Sequence, residues 1–206
     1  MLRIWGRLTS LNVRKVVWAA QELGLDFERT NAGREYGVVQ TAAYGELNPN
    51  RLVPVIDDDG FRLWESNVIV RYFGAKYGRS GFYPQGLRER FDAERWMDWQ
   101  QTTLNPAGRD AFVQLIRTAP ADRNESAIAA SVAATQPLLA LLNEHLSRSE
   151  FLLGERFSMA DIPVGCELHR WLGLPLEPLV LPHLQRYYAA LAERSAVRGV
   201  FDLKLA

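Results

Sequence analysis

The spacing of apolar residues changes period several times along the first eighty positions. Leu2–Trp5 is a short apolar run stopped by Gly6 and predicts a strand. Val13, Val16, Val17, Ala20 and Leu23 then recur at helical spacing, and Gly24 closes that helix. Asn12 stands at the expected N-cap with Ser10 just before it, which puts both side chains at the N-terminal end of the helix. Residues 26–30 predict a second strand, and the Gly-, Ala- and Tyr-rich stretch after it predicts irregular backbone as far as Asn48-Pro49. Val53-Pro54-Val55-Ile56 and Phe61-Arg62-Leu63-Trp64 flank Asp59-Gly60, a hairpin-turn pair, so two antiparallel strands follow. Ser66 is placed to cap a helix whose apolar face is Ile69, Tyr72, Phe73 and Tyr77, ending at Gly78.

Beyond Gly78 the period is helical throughout. Residues 87–104 and 128–146 predict two long helices, with Pro137 expected to kink the second. Phe157-Ser158-Met159-Ala160-Asp161-Ile162 combines a capping-box pair, Ser158 and Asp161, with apolar residues at the two staple positions, Phe157 and Ile162. Leu184, Tyr187, Tyr188 and Leu191 mark a last helix. The expected organisation is an α/β domain over 1–79, a linker over 80–85 and an all-α domain over 86–206.

Composition narrows the function. The 206 residues are 48% hydrophobic and 23% charged, which excludes a disordered or collagen-like chain. Lys+Arg and Asp+Glu both number 24, so no general field attracts nucleic acid and any anion must be held locally. A single cysteine, Cys166, excludes an intramolecular disulfide framework and reads as a small buried core residue. The three histidines show no metal-ligand spacing, so no metal is expected. No apolar stretch approaches the ~18 residues needed to span a bilayer, and a soluble, cytoplasmic protein without membrane contact is expected.

Two helix starts, at Ser10/Asn12 and at Ser66, present unpaired amides and the positive end of a helix dipole, so each can hold an anion. Taken alone, these residues are more often plain caps than ligand contacts. Three runs change that weighting: Gly6-Arg7-Leu8-Thr9-Ser10-Leu11-Asn12-Val13-Arg14-Lys15-Val16, then Asn48-Pro49-Asn50-Arg51-Leu52-Val53-Pro54-Val55-Ile56, then Glu65-Ser66-Asn67-Val68-Ile69-Val70-Arg71-Tyr72. In this order and spacing they resemble the glutathione-binding half of cytosolic glutathione S-transferases of the serine type, theta- or phi-like. Phe157 to Ile162 resembles the capping motif of that family's helical half.

The resemblance implies a thioredoxin-like domain of order βαβ-ββα, then an all-helical domain, usually in a homodimer. It implies glutathione as co-substrate and a small electrophilic or hydrophobic acceptor. Val53, beside a cis Pro54, would pair with the cysteinyl part of glutathione, with Leu52 adjacent. Glu65 and Ser66 would hold the γ-glutamyl end, and Arg51 is placed to reach the glycine carboxylate. Leu8, Trp99, Thr103, Phe112 and Trp171, with Trp96 beside them, are the candidates for the acceptor pocket, whereas Trp5, Trp18 and Trp64 are assigned to the core.

Ser10 falls where serine-type members carry the hydroxyl that activates the thiol. A helix dipole supplies about 0.3–1 kcal/mol, whereas a hydrogen bond to a charged group supplies about 1.5–3 kcal/mol, so the hydroxyl dominates. Ser10-x-Asn12-x-x-Lys15 also parallels the Thr-x-Asn-x-x-Lys of nu-like relatives, which favour disulfide reduction and peroxide reduction. That makes Asn12 a second catalytic candidate and glutathione-dependent disulfide reductase or peroxidase the alternative enzyme. A non-catalytic binding protein of the same fold is the alternative outside catalysis. Three positions depart from the family pattern: Arg51 replaces a small residue in Asn-Pro-x-Gly, Ser195 replaces a Pro, and Pro163 enters the first turn after the capping motif.

Overall fold

The computed structural model describes residues 1–78 and 81–206; Arg79 and Ser80, where the predicted boundary falls, lie outside the described residues. The chain forms two compact units, Met1–Tyr83 with Ser195–Lys204, and Pro84–Arg194 with Leu205–Ala206.

The first unit is built on four strands: β1 (Leu2–Trp5), β2 (Phe27–Thr30), β3 (Val55–Asp58) and β4 (Phe61–Trp64), in the order β2-β1-β3-β4. β1 and β2 run parallel, as the intervening helix α1 (Leu11–Glu22) requires, while β3 is antiparallel to both β1 and β4. Ile4 pairs with Ile56 at the centre of the sheet, and both are fully buried. α1 packs against α3 (Ser66–Tyr77), burying Val16, Trp18, Ile69 and Phe73 completely. Asp59 (φ 53°) and Gly60 (φ 92°) form the β3–β4 turn in the left-handed region that Asp-Gly tolerates.

Several local expectations are corrected. The stretch before Asn48 is ordered: 3₁₀ turns at Arg34–Tyr36 and Val38–Gln40 lead into a short helix, α2 (Ala42–Leu47), capped by Thr41 Oγ1 accepting from the Tyr44 amide at 3.2 Å. Tertiary burial of Tyr44 and Val39 against Ala32 and Val55 holds that stretch, a force invisible to periodicity. Ser10, not Asn12, is the N-cap of α1, and Glu65, not Ser66, is the N-cap of α3. Trp18 is fully buried, but Trp64 on the edge strand β4 is 38% exposed rather than in the core.

The C-terminal segment Ser195–Lys204 belongs to the first unit, not to the helical domain expected to run to 206. Arg14 donates to the carbonyls of Leu203 (3.0 Å) and Lys204 (3.2 Å), Gln21 donates to those of Ala196 and Arg198, and Phe201 meets Trp18 edge-on at 5.1 Å. These bonds satisfy backbone acceptors that have no ladder partner.

The second unit is helical: α4 (Leu87–Trp99), α5 (Asn105–Phe112), α6 (Glu125–Leu146), α7 (Asp161–Leu172) and α8 (Pro182–Ala192). The helical course begun at α4 does not stop at Leu104, because π segments at Gln100–Leu104 and Val113–Arg117 join it to α5 and extend it. α6 starts three residues before the expected Ile128, capped by Asn124 Oδ1 accepting from the Ala127 amide at 3.0 Å, and runs through Pro137. It also corrects the expectation of no long apolar stretch: its 22 residues are long and apolar enough to cross a membrane. Here α6 packs on α5 and α8 along one stripe, which buries Ile128, Leu139, Leu142 and Leu146. Pro163 is benign, because it lies in the first turn of α7, where an amide has no intrahelical acceptor.

Candidate glutathione site

Three chain segments of the first unit carry the candidate site, and each is held by bonds outside itself. The first is the β1–α1 turn. Gly6 (φ 152°) is required there, since a Cβ would stand 2.3 Å from Val13 Cγ2. Its amide donates to Thr30 O, the Arg7 amide to Ala32 O, and the Ser10 amide to Arg7 O, which turns the chain into α1. Ser10 is partly buried, and its hydroxyl makes no capping bond. It remains available to a ligand at the amide-rich end of α1. Asn12 lies in the first turn of α1 with its Oδ1 buried and unpartnered. Leu8 is partly buried, its carbonyl accepting from Arg14 Nε at 2.8 Å. Lys15 is fully buried and donates to Asn67 Oδ1 at 3.2 Å, so it joins α1 to α3.

The second segment carries the cis Val53-Pro54 bond. The Leu52 carbonyl accepts from Tyr44 Oη and from Asn48 Nδ2, both at 2.9 Å, which fixes the chain immediately before Val53. Burial pushes the Tyr44 hydroxyl up to about 12, so it stays a donor across the ordinary pH range. Arg51 adopts a left-handed conformation (φ 53°), and its Nη1 donates to the carbonyls of Val39 (3.1 Å) and Thr41 (2.8 Å). It therefore clamps the α2 segment, with Nη2 so close to Gly45 that a Cβ there would stand 2.8 Å from it.

The third segment is the entry to α3. Glu65 is exposed at φ 73°, and the adjacent Ser66 is 4% exposed with no intraprotein bond to its hydroxyl among the described residues. Arg34 (φ 51°), Arg51 and Glu65 are three of the four non-glycine residues with positive φ among the described residues, and all lie in or beside these segments. Backbone held in that region concentrates at ligand sites.

Sequence reasoning passed over one residue beside them. The Arg7 side chain is buried, 8% exposed, and makes no hydrogen bond or ion pair among the described residues; its Nε is an orphaned donor. Gly33 makes room for it: a Cβ there would meet Arg7 Nη1 at 2.9 Å and Val53 Cγ1 at 3.5 Å. Burial first, then the neighbouring Arg34, lowers its pKa, with Glu35 and Tyr36 opposing. The available signal was a charged residue at a strand's C-terminal end, flanked by Gly6 and Ser10.

The acceptor-pocket candidates on the second unit lie on α4, the π segment after it, α5 and α7. Trp99 meets Trp96 edge-on at 5.2 Å, and Thr103 is exposed on the π segment. Phe112 is buried under the guanidinium groups of Arg117 (4.5 Å) and Arg170 (5.0 Å). Trp171 is 8% exposed against Gly108, whose added Cβ would lie 3.2 Å from Trp171 Cε3.

A mixed four-stranded sheet with a cis-proline loop, joined to a helical unit, defines a thioredoxin-like class of protein. Family models agree: residues 9–76 match the glutathione S-transferase N-terminal domain and residues 102–195 its C-terminal domain. The chain is 40% identical over 202 residues to glutathione S-transferase GstB of Escherichia coli strain K12, covering 97% of each. It is 41% identical to the glutathione-bound theta class glutathione S-transferase of Xanthomonas axonopodis pv. citri, with a TM-score of 0.95, covering 100% of this chain and 99% of that one. A probable elongation factor 1-gamma 2 of Arabidopsis thaliana is 26% identical over 90% of this chain but only 45% of its own length. The chain belongs to the glutathione S-transferase family.

Proposed function

We propose that this glutathione transferase holds the thiolate of glutathione with the Ser10 hydroxyl and delivers it to a small electrophile. The observation that carries the reading is the Ser10 hydroxyl, uncommitted to capping at the amide end of α1. Ser10 donates to the sulfur and lowers its pKa. A fall of about two units from a reference near 8.5 raises the thiolate fraction at pH 7 from a few per cent to roughly three quarters. The sulfur, not Ser10, is the nucleophile. Asn12 assists, since its orphaned position presents either end of the amide after rotation about its terminal torsion.

The Val53 backbone receives the cysteinyl part, with Leu52 and cis Pro54 holding it in place. Ser66 and its amide receive the γ-glutamyl carboxylate at the start of α3, Glu65 takes the amine, and the exposed Arg51 takes the glycine carboxylate. Leu8, Trp99, Thr103, Phe112 and Trp171 are the acceptor-side residues of this reading. The working protein is a soluble, cytoplasmic homodimer without nucleic-acid or membrane partners, with domains divided near residues 80–85, save that residues 195–204 return to the first.

The test is steady-state conjugation of 1-chloro-2,4-dinitrobenzene. Ser10→Ala lowers kcat about 10- to 100-fold while calorimetric affinity for glutathione changes less than about threefold. Equal loss of both, or undiminished activity, sinks the assignment. The unpartnered Asn12 favours one second reading, glutathione-dependent reduction of small disulfides or hydroperoxides in the same pocket. Lys15 adds nothing to it, being buried against Asn67. Inactivity toward both substrate types removes it.

A further inference from the structure

The proposed anchors for glutathione account for its thiol and both carboxylates, yet they leave one buried cation with no anion bonded to it, the exposed Glu35 acting on it only at a distance. Arg7 is more than nine-tenths buried with no hydrogen bond or ion pair among the described residues. Removing one partner of a buried charge is strongly unfavourable, so a guanidinium kept in that state marks a place where an anion arrives. The surrounding chain is shaped around it. Gly33 (φ 86°) has no Cβ and leaves space for Nη1, and Arg34 follows in a left-handed conformation, near enough for its charge to act on Arg7. The side chain shares the flank of Gly33 with Val53, and its carbonyl accepts from the Ser10 amide at 3.1 Å. The cation therefore stands at the same end of the sheet as the proposed sulfur position. A planar guanidinium with an open fork matches the two oxygens of a carboxylate better than the single atom of a thiolate.

We propose that Arg7, aided by Arg34, anchors a carboxylate on the electrophilic substrate, so that this transferase selects small anionic acceptors; the proposal rests on the transferase reading above. In the reaction the glutathione sulfur bonds to the carbon bearing the leaving group. The bond from that carbon to the halide breaks with its electron pair, and the thiol proton passes to solvent. Arg7 forms no bond to the reacting carbon; it fixes the carboxylate and hence the line of attack.

The experiment titrates 3-nitrobenzoate and its neutral counterpart 3-nitrobenzamide into the full-length protein saturated with S-methylglutathione, and separately compares turnover of 4-chloro-3-nitrobenzoate and its amide. Wild type binds and turns over the carboxylate at least tenfold better than the amide, and Arg7→Met abolishes that preference. Thermal unfolding of Arg7→Met without ligand moves up by several degrees, because an unpaired buried charge is gone. Arg34→Met, on the exposed turn, reduces the preference about threefold and keeps the comparison available if Arg7→Met fails to fold. Equal binding of acid and amide by wild type, or a preference surviving in Arg7→Met, overturns the proposal. So does a glutathione thiol pKa that rises in Arg7→Met without any change in selectivity, since Arg7 would then serve the sulfur. Failure of the transferase reading is separate: wild type would neither bind glutathione nor conjugate 1-chloro-2,4-dinitrobenzene, and both ideas would fall together.

Discussion

Ser10 and Ser66 have the same local chemistry, a small hydroxyl at a helix start, and neither spends it on the helix. An N-cap hydroxyl normally stabilises its helix by about 1 kcal/mol, so the unspent hydroxyl of Ser10 argues for a ligand role, and the buried, unbonded hydroxyl of Ser66 at the first position of α3 argues for another. The roles separate by what each substitution changes. Ser10→Ala acts on the charge of the sulfur and raises the thiol pKa of the bound complex by about one to two units, measured from thiolate absorbance against pH. Ser66→Ala acts on an anchor remote from the sulfur. It raises the KM for glutathione about tenfold with kcat within about threefold, and a fall in kcat alone would contradict that division. Arg51 is a third case: its left-handed backbone costs about 1–2 kcal/mol, offset by two hydrogen bonds to the α2 segment. The types of these residues were legible in the sequence. The unpaired state of Arg7 was not, because it depends on what fails to surround a side chain after folding.

At the level of elements, α1 illustrates how the second end of the chain completes the first unit. Its inward face packs on α3, and Arg14, Trp18 and Gln21 engage residues 196–204. Deleting residues 195–206 strips these partners and lowers stability by about 2–4 kcal/mol, which urea unfolding followed by tryptophan fluorescence will register. Unchanged unfolding would mean that the segment merely rests on the surface. Such a contact between positions nearly two hundred residues apart leaves no trace in local periodicity. The π segments are similar: Gln100 donates to Glu167 at 2.8 Å, and Arg170 pairs with Glu167 and donates to Asn105, so packing on α7 stabilises an irregular stretch that read as a helix end.

For the molecule as a whole, pH sensitivity of folding has a buried source at the start of α7. Asp161 accepts from the Leu152 and Ser158 amides, from Ser158 Oγ and from Tyr187 Oη at 2.7–3.1 Å, yet complete burial raises its pKa to about 6. A folded-state pKa above the unfolded value means that the folded protein holds more protons between about pH 4 and 6. The Asp161 contribution therefore declines as pH rises through that window and is level above it. The unfolding free energy of wild type minus that of Asp161→Asn should be larger at pH 4.5 than at pH 7.5; the reverse order would show that the four donors outweigh desolvation. Asp58 works in the opposite sense. Burial raises its pKa, but bonds from Lys76, Tyr77 and Tyr72 prevail and lower it, so its support is present above the ordinary carboxylate range and is lost as pH falls through the lowered value.

Periodicity, turn pairs and caps sufficed for the order of strands and helices in both units and for the residue types at the glutathione segments, because those features depend on neighbours within a turn or two of the chain. The ordering of 34–47, the return of 195–204 to the first unit and the isolation of Arg7 were decided only by tertiary structure. In each of these the determining free energy comes from burial or hydrogen bonding between residues distant in sequence, and a local pattern carries no record of a distant partner.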